Sequence, residues 1–252
     1  MLIILPPSET KAHGGDGAPL DYTTLSFTEL TDIRKDIAAD LQALDVDEAL
    51  AALKLSEKLR PEAESNQSLE ASPTMPAIYR YTGVLYDALD APSLPREALE
   101  RLAVGSALFG VVRATDPIPH YRLSGGSKLP ARDGSPTPTM KKRWGTAITD
   151  ALTNVCDGEG ELIIDLRSGT YQTLGKVKDA VTVRVEAIQP DGSRKVVSHF
   201  NKHYKGELAR VLALSGEDAH SIEDVEAIAT SAGMTVEGPK AGSLELTLVV
   251  TP

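Results

Sequence analysis

Short apolar runs separated by segments of helical period constrain this chain more than any other feature. Met1-Leu2-Ile3-Ile4-Leu5 stops at Pro6-Pro7, and Glu161-Leu162-Ile163-Ile164-Asp165-Leu166 ends at Arg167-Ser168. Ala107-Leu108-Phe109-Gly110-Val111-Val112 runs into a proline-broken stretch. Runs this short and this apolar read as strands buried on both faces. Val181-Thr182-Val183-Arg184-Val185 alternates with period two, and Pro190-Asp191-Gly192 joins it to Lys195-Val196-Val197-Ser198 as a hairpin. Leu244 to Val250 closes the chain as a further strand.

Between these runs the apolar spacing is helical. A helix is expected from Thr28 to about Leu44, with Leu30, Ile33, Ile37 and Leu41 on one face and Ser26 with Glu29 as a capping box. A shorter helix carries Leu50, Leu53 and Leu55 and ends at Pro61. Helical spacing recurs over residues 76–90, after Pro95 (Leu99, Leu102), from Met140 to Asn154, and from Asn201 to Leu214. Ser221 with Asp224 opens the last helix and Gly233 ends it. Together these elements predict an α/β fold of the mixed α+β kind, with a mixed sheet flanked by helices. No repeat, linker or low-complexity run divides it, so residues 1–252 read as a single compact domain.

Charge and cysteine content narrow the function classes. The net charge of −10 argues against a general nucleic-acid or membrane coat. Residues 120–210 nevertheless hold 15 Lys and Arg against 10 Asp and Glu, which permits a local anion-binding cleft. The apolar start lacks a basic flank and is too short for a signal peptide or membrane span. The lone Cys156 excludes an internal disulfide and fits a cytoplasmic setting, and there is no cysteine cluster to hold zinc or an iron–sulfur centre.

Two segments concentrate polar chemistry. The first runs from Gly110 through Arg113, Asp116, Tyr121 and Arg122 to Gly125-Gly126-Ser127-Lys128. Pro117 and Pro119 exclude a central strand or regular helix there, so the polar groups are expected on a loop. Its paired glycines have the composition of a phosphate nest, without a Walker A or G-x-G-x-x-G pattern. The second is Asn201-Lys202-His203-Tyr204-Lys205, continuing to Arg210. Lysines in the first turn of a helix oppose its dipole unless an anion sits nearby.

Other constellations are weaker. His199 and His203 have i,i+4 spacing but straddle a strand–helix junction and lack an H-E-x-x-H pattern, so no dedicated metal site or cofactor is expected. No G-x-S-x-G elbow surrounds Ser8 or Ser168, which argues against a serine hydrolase.

The chain resembles the YaaA family of peroxide-stress proteins. The residues that carry the resemblance are Pro7-Ser8-Glu9-Thr10, Tyr86, Phe109-Gly110-Val111-Val112-Arg113 with Asp116, Tyr121-Arg122-Leu123, Trp144-Gly145, Ile164-Asp165-Leu166 with Ser168 and Tyr171, and Lys202, Lys205-Gly206 and Arg210. It implies a cytosolic protein that limits iron-dependent oxidative damage, a positively charged cleft, and a helix–hairpin–helix-like element that binds DNA. By position, Arg113, Arg122, Lys202, Lys205 and Arg210 would line the cleft, and Ser8 would come in from the end of the first strand. With Lys11, Asp116, Tyr121 and Lys128, read from the sequence itself, they make up the expected anion- or DNA-binding site. Glu9 stands where the family commonly has lysine, and the Asp45–Asn66 region lacks the hairpin glycine and is rich in carboxylates. DNA is the first expected partner. A small phosphorylated or carboxylated ligand, bound by an enzyme or sensor in the same cleft, is the alternative, because residue types alone do not separate polymer phosphate from small-molecule phosphate.

Overall fold

Leu2–Leu5 is buried on both faces because it forms the middle of the main sheet, and the rest of the fold is arranged around it. The structure, a computed structural model, describes residues 1–197, 200–239 and 242–251. In chain order its strands are β1 (Leu2–Leu5), β2 (Gly17–Pro19), β3 (Pro73–Pro76), β4 (Leu102–Ser106), β5 (Gly110–Arg113), β6 (Pro117–Pro119), β7 (Ile163–Asp165), β8 (Val181–Ile188), β9 (Arg194–Val196), β10 (Thr235–Glu237) and β11 (Glu245–Val250).

Among the described residues the main sheet has eight strands, in the order β10-β11-β8-β7-β1-β4-β5, with β9 paired to β8. The strands β11, β8, β7, β1 and β4 run parallel; β5, β9 and β10 are antiparallel additions. From β1 the chain crosses to β4 on one side, then returns to β7 on the other and continues outward. The order therefore reverses beside β1, and the crevice at the carboxyl ends of β1 and β7 is a topological switch point. A second, antiparallel sheet, β2-β3-β6, uses prolines in short strands, and β6 lies at its edge, where a missing N–H is tolerated.

The mixed architecture is as expected, and so are the helices Asn201–Leu214 and Ile222–Ser231 and the β8–β9 hairpin. Ser221 and Asp224 form the expected capping box, and Gly233, at a φ of 87°, ends that helix. Ser198, at the end of the expected hairpin, and His199 lie outside the described residues.

Several boundaries differ, each for a local reason. The expected single strand over residues 107–112 is a hairpin: β4 ends at Ser106, Ala107–Phe109 turn, and β5 begins at Gly110, with a φ of 74°. Ser106 Oγ accepts from the backbone N–H groups of Leu108 and Phe109, so an apolar buried turn needs no polar residues of its own. Arg113 is consequently on a strand, not a loop. Pro61 starts the helix Arg60–Asn66 instead of ending the one before it, as a proline in the first helical turn can. Gly83, at a φ of 101°, divides residues 76–90 into Ala77–Arg80 and Val84–Leu89. Gly145, at 54°, likewise separates Met140–Trp144 from Ala147–Glu159. The Ser26–Glu29 box does not form, because the Ser26 hydroxyl and backbone N–H both donate to Asp116. The helix there is Thr31–Ala43, preceded by a 3-10 turn.

Candidate functional site at the ends of β1 and β7

A cavity of about 380 Å³ opens at the switch point, lined among others by Pro6, Glu9, Ser124, Ser168, Tyr171, Asn201, Lys202 and Lys205. Pro6 and Pro7 turn the chain out of β1, and the Tyr86 hydroxyl fixes that turn by donating to the Pro6 carbonyl at 2.9 Å. Leu166 to Ser168 leave β7, and the first turns of the helix Asn201–Leu214 form the facing wall. Crevices outside the carboxyl ends of parallel strands, at the point where strand order reverses, are where open α/β sheets bind ligands.

The cationic groups of the cleft come from that helix. Lys202 is exposed. Lys205 is largely enclosed, donates to the Leu166 carbonyl at 3.3 Å, and has its ammonium pKa lowered by burial, with Asp165 and Glu245 acting in the opposite sense. Asn201 Oδ1 is buried and, among the described residues, accepts no hydrogen bond. A wall that combines two ammonium groups with an unspent acceptor suits a ligand carrying both an anionic group and an N–H or O–H donor.

Opposite, Arg122 clamps the β1 exit loop. It donates to the Glu9 carbonyl at 2.8 Å and pairs with the Glu9 carboxylate at 3.1 Å. Ser8 is one residue away, hydrogen-bonded to Thr10. Lys11 turns beneath the loop, donating to the Ser8 carbonyl at 2.9 Å and lying 4.5 Å above the Tyr121 ring. Tyr121 is buried in a hydrogen-bonded chain with Tyr81 and Ser106. Burial lowers the Lys11 pKa to about 8 and pushes the Tyr81 hydroxyl up to about 12.

The structure therefore brings Lys202 and Lys205 to the cleft, with Ser8, Lys11, Tyr121 and Arg122 in or beneath its other wall. It does not bring four expected residues there. Arg113 lies toward the amino ends of the parallel strands, donating to the Glu100 carbonyl and pairing with Glu161 at 4.0 Å. Asp116 accepts from Ser26 and from the Arg113 backbone, which makes it a loop organiser. Arg210 faces away, capping the helix Val84–Leu89 by donating to the Leu89 and Asp90 carbonyls. Lys128 is exposed in a backbone bridge to Thr139. The glycine pair at 125–126 forms a plain turn whose N–H groups are spent on the Tyr171 hydroxyl and Ser124 Oγ.

Sequence reasoning missed the cleft roles of Glu9, Ser124, Ser168, Tyr171 and Asn201. Ser168 and Tyr171 follow an apolar strand, a signal that becomes readable only once the strand order places β7 beside β1. It also missed a cluster outside the cleft, where His13, Glu62 and His120 place their ligand atoms within 4.8 Å of one another.

The helix–hairpin–helix-like region does form two helices, Val46–Leu53 and Arg60–Asn66. Lys54 takes the left-handed position between them, at a φ of 56°, where a glycine would be unstrained. Arg60 is held by Asp47 and Glu57 at 2.8 Å each, so its charge is matched locally. Among the described residues no helix is long and apolar enough to cross a membrane.

Comparison with known proteins places the chain in a family. The profile described as "Peroxide stress protein YaaA" matches residues 1–237. A UPF0246 protein of Corynebacterium glutamicum is 70% identical over 250 residues, covering 99% of this chain and 100% of that protein. A UPF0246 protein of Streptomyces coelicolor is 42% identical over 225 residues, with 86% and 84% covered. An uncharacterized protein of Campylobacter jejuni is 29% identical over 220 residues, with 84% and 85% covered. The chain belongs to the peroxide stress protein YaaA family.

Proposed function

We propose that this protein acts in peroxide stress by binding a small phosphate- or carboxylate-bearing ligand in the β1–β7 cleft. The observation that carries this reading is the cleft's place at the switch point with Lys202, Lys205 and the unspent Asn201 oxygen in one wall. Lys202 and Lys205 supply the charge for the anionic group, and Asn201 accepts from a donor elsewhere on the ligand. Glu9 and its Arg122 clamp close the opposite rim and select against a second anionic group there.

Duplex DNA, the partner that the family resemblance implies, is less well supported. A concavity of about 380 Å³ is on the scale of small-ligand pockets, not of a long phosphate track. The neutralised Arg60 and the acidic surroundings of the two-helix element also disfavour phosphate contacts there.

Thermal stability should be measured with inorganic phosphate, a panel of nucleotides and small carboxylates, beside binding to duplex and single-stranded DNA over a salt series. At least one small anion is expected to stabilise the protein, by roughly 2.7 kcal/mol at a hundredfold excess over its Kd. Lys205→Met or Asn201→Ala should abolish that gain. Tight DNA binding with a steep salt slope, unchanged by Lys205→Met and without any small-anion effect, would overturn the reading.

A further inference from the structure

His13, Glu62 and His120 come from three separate segments: the loop after Lys11, the helix Arg60–Asn66, and the residue that follows β6. His120 is buried and its ring is oriented by a backbone contact, Nδ1 lying 3.1 Å from the Ala12 carbonyl. That carbonyl can only accept, so Nδ1 carries the proton. Nε2 then faces Glu62 Oε2 at 2.8 Å. A neutral imidazole with its proton on Nδ1 would point a lone pair at a carboxylate oxygen, and two acceptors do not stay at that distance unaided. At this distance the contact is a hydrogen bond, and a metal ion held by both atoms would replace its proton and spread them. His13 adds a third donor to the cluster, which a His120–Glu62 hydrogen bond alone does not need. His13 stacks on His120 with ring centroids 4.2 Å apart and brings its Nε2 to 3.7 Å from Glu62 Oε1.

We propose that His13, Glu62 and His120 form a binding site for a divalent transition-metal ion of the zinc class, separate from the β1–β7 cleft. Two imidazoles and a carboxylate are a donor set that such ions take, and three protein ligands leave at least one coordination position open to water or a further ligand. The Ala12 carbonyl behind His120 is the outer contact that fixes the tautomer of a ligating histidine. Arg80 donates to the same carbonyl and anchors it. Tetrahedral bonds of about 2.1 Å place donor atoms roughly 3.4 Å apart, so Glu62 Oε2 and His120 Nε2 must separate from 2.8 Å as the ion enters. The exposed His13, followed by Gly14 at a φ of 72° with open space around it, is the ligand free to swing into that geometry. Lys11 and Arg80 are cationic groups nearby, and Glu62 is the carboxylate of the cluster that offsets an added charge.

The test uses the full chain, stripped of metal with a chelator, and titrated with Zn2+ and separately with Co2+. One equivalent per chain is expected, with Co2+ giving the visible absorption of a low-coordinate nitrogen–oxygen site. His13→Ala should weaken affinity by at least about tenfold and change the Co2+ spectrum, and its exposure makes misfolding no explanation for the loss. Glu62→Gln and His120→Gln should remove binding. His203→Ala deletes the surface His203–Glu207 pair at 3.3 Å and should leave the titration unchanged. Absence of stoichiometric uptake, or uptake unaffected by His13→Ala and His120→Gln, would overturn the proposal. The His120–Glu62 contact would then be a hydrogen bond alone.

Discussion

Lys11 shows how far a residue's role depends on what surrounds it. Its ammonium is buried over two tyrosine rings and donates to the Ser8 carbonyl, and burial lowers its pKa from 10.5 to about 8. Holding that charge in the folded state below pH 8 costs about 3 kcal/mol, of which the ring contacts return roughly 1 kcal/mol. Between pH 8 and 10.5 the unfolded chain binds more protons at this site than the folded one, so the lysine's contribution to stability rises with pH. Lys11→Met is therefore expected to be the more stable protein at pH 7, by about 1 to 3 kcal/mol, and to lose that advantage as pH approaches 10.5. Urea denaturation of both proteins at pH 7 and 9.5 measures this, and an advantage that grows with pH would contradict it. In the sequence Lys11 read as one more basic group near an anion site. Its type was legible there, but its burial was not, because the covering residues Tyr81 and Tyr121 lie 70 and 110 positions away. The same holds for Arg113, Asp116 and Arg210, whose polar chemistry was plain in the sequence while their partners Glu161, Ser26 and Leu89 were set by the packing.

At the scale of elements, the helix Asn201–Leu214 is the wall that delivers Lys202 and Lys205, and one glycine sets its position. A Cβ on Gly206 would come within 2.3 Å of the Leu85 carbonyl oxygen and 2.9 Å of the Ala88 Cβ. The close approach is to the backbone of the helix Val84–Leu89, which cannot yield as a flexible side chain would. Gly206→Ala is expected to destabilise the protein by about 1 to 3 kcal/mol, despite the better helix propensity of alanine, because the two helices must separate. It should also weaken ligand binding in the cleft, since Lys202 and Lys205 move with the helix. A stability equal to wild type by urea denaturation would show that the helices are not in contact as described. This helix was legible because its apolar residues keep helical spacing, whereas the β4–β5 hairpin was not. The turn at Ala107–Phe109 is itself apolar, and its punctuation, Ser106 and Gly110, sits on the flanking strand ends, so the run from Ala107 to Val112 reads as one strand.

At the scale of the whole molecule, a buried ion pair ties together the strands that meet at the switch point. Arg167 donates to Asp165 Oδ1 at 2.8 Å and Oδ2 at 2.9 Å, and to the Gly175 carbonyl at 2.7 Å. Its stem crosses to β4, where a Cβ on Gly105 would meet Arg167 Cδ at 2.8 Å, so β4 has a glycine where the arginine passes. One side chain thus links the end of β7 to β4 across β1 and forms the floor behind the cleft. The sequence contained both charges and the glycine, but their relation depends on a strand order that runs β7-β1-β4, and no local signal carries that order. Removing one partner strands the other charge in the interior, whereas removing both does not. Arg167→Met is accordingly expected to cost about 3 to 5 kcal/mol, and Arg167→Met combined with Asp165→Leu to recover at least half of that loss. Urea denaturation of the wild type, the two single variants and the double variant forms the cycle that measures the coupling. If Arg167→Met alone cost less than about 1 kcal/mol, the value typical of an exposed pair, the floor of the cleft would be held by strand pairing alone.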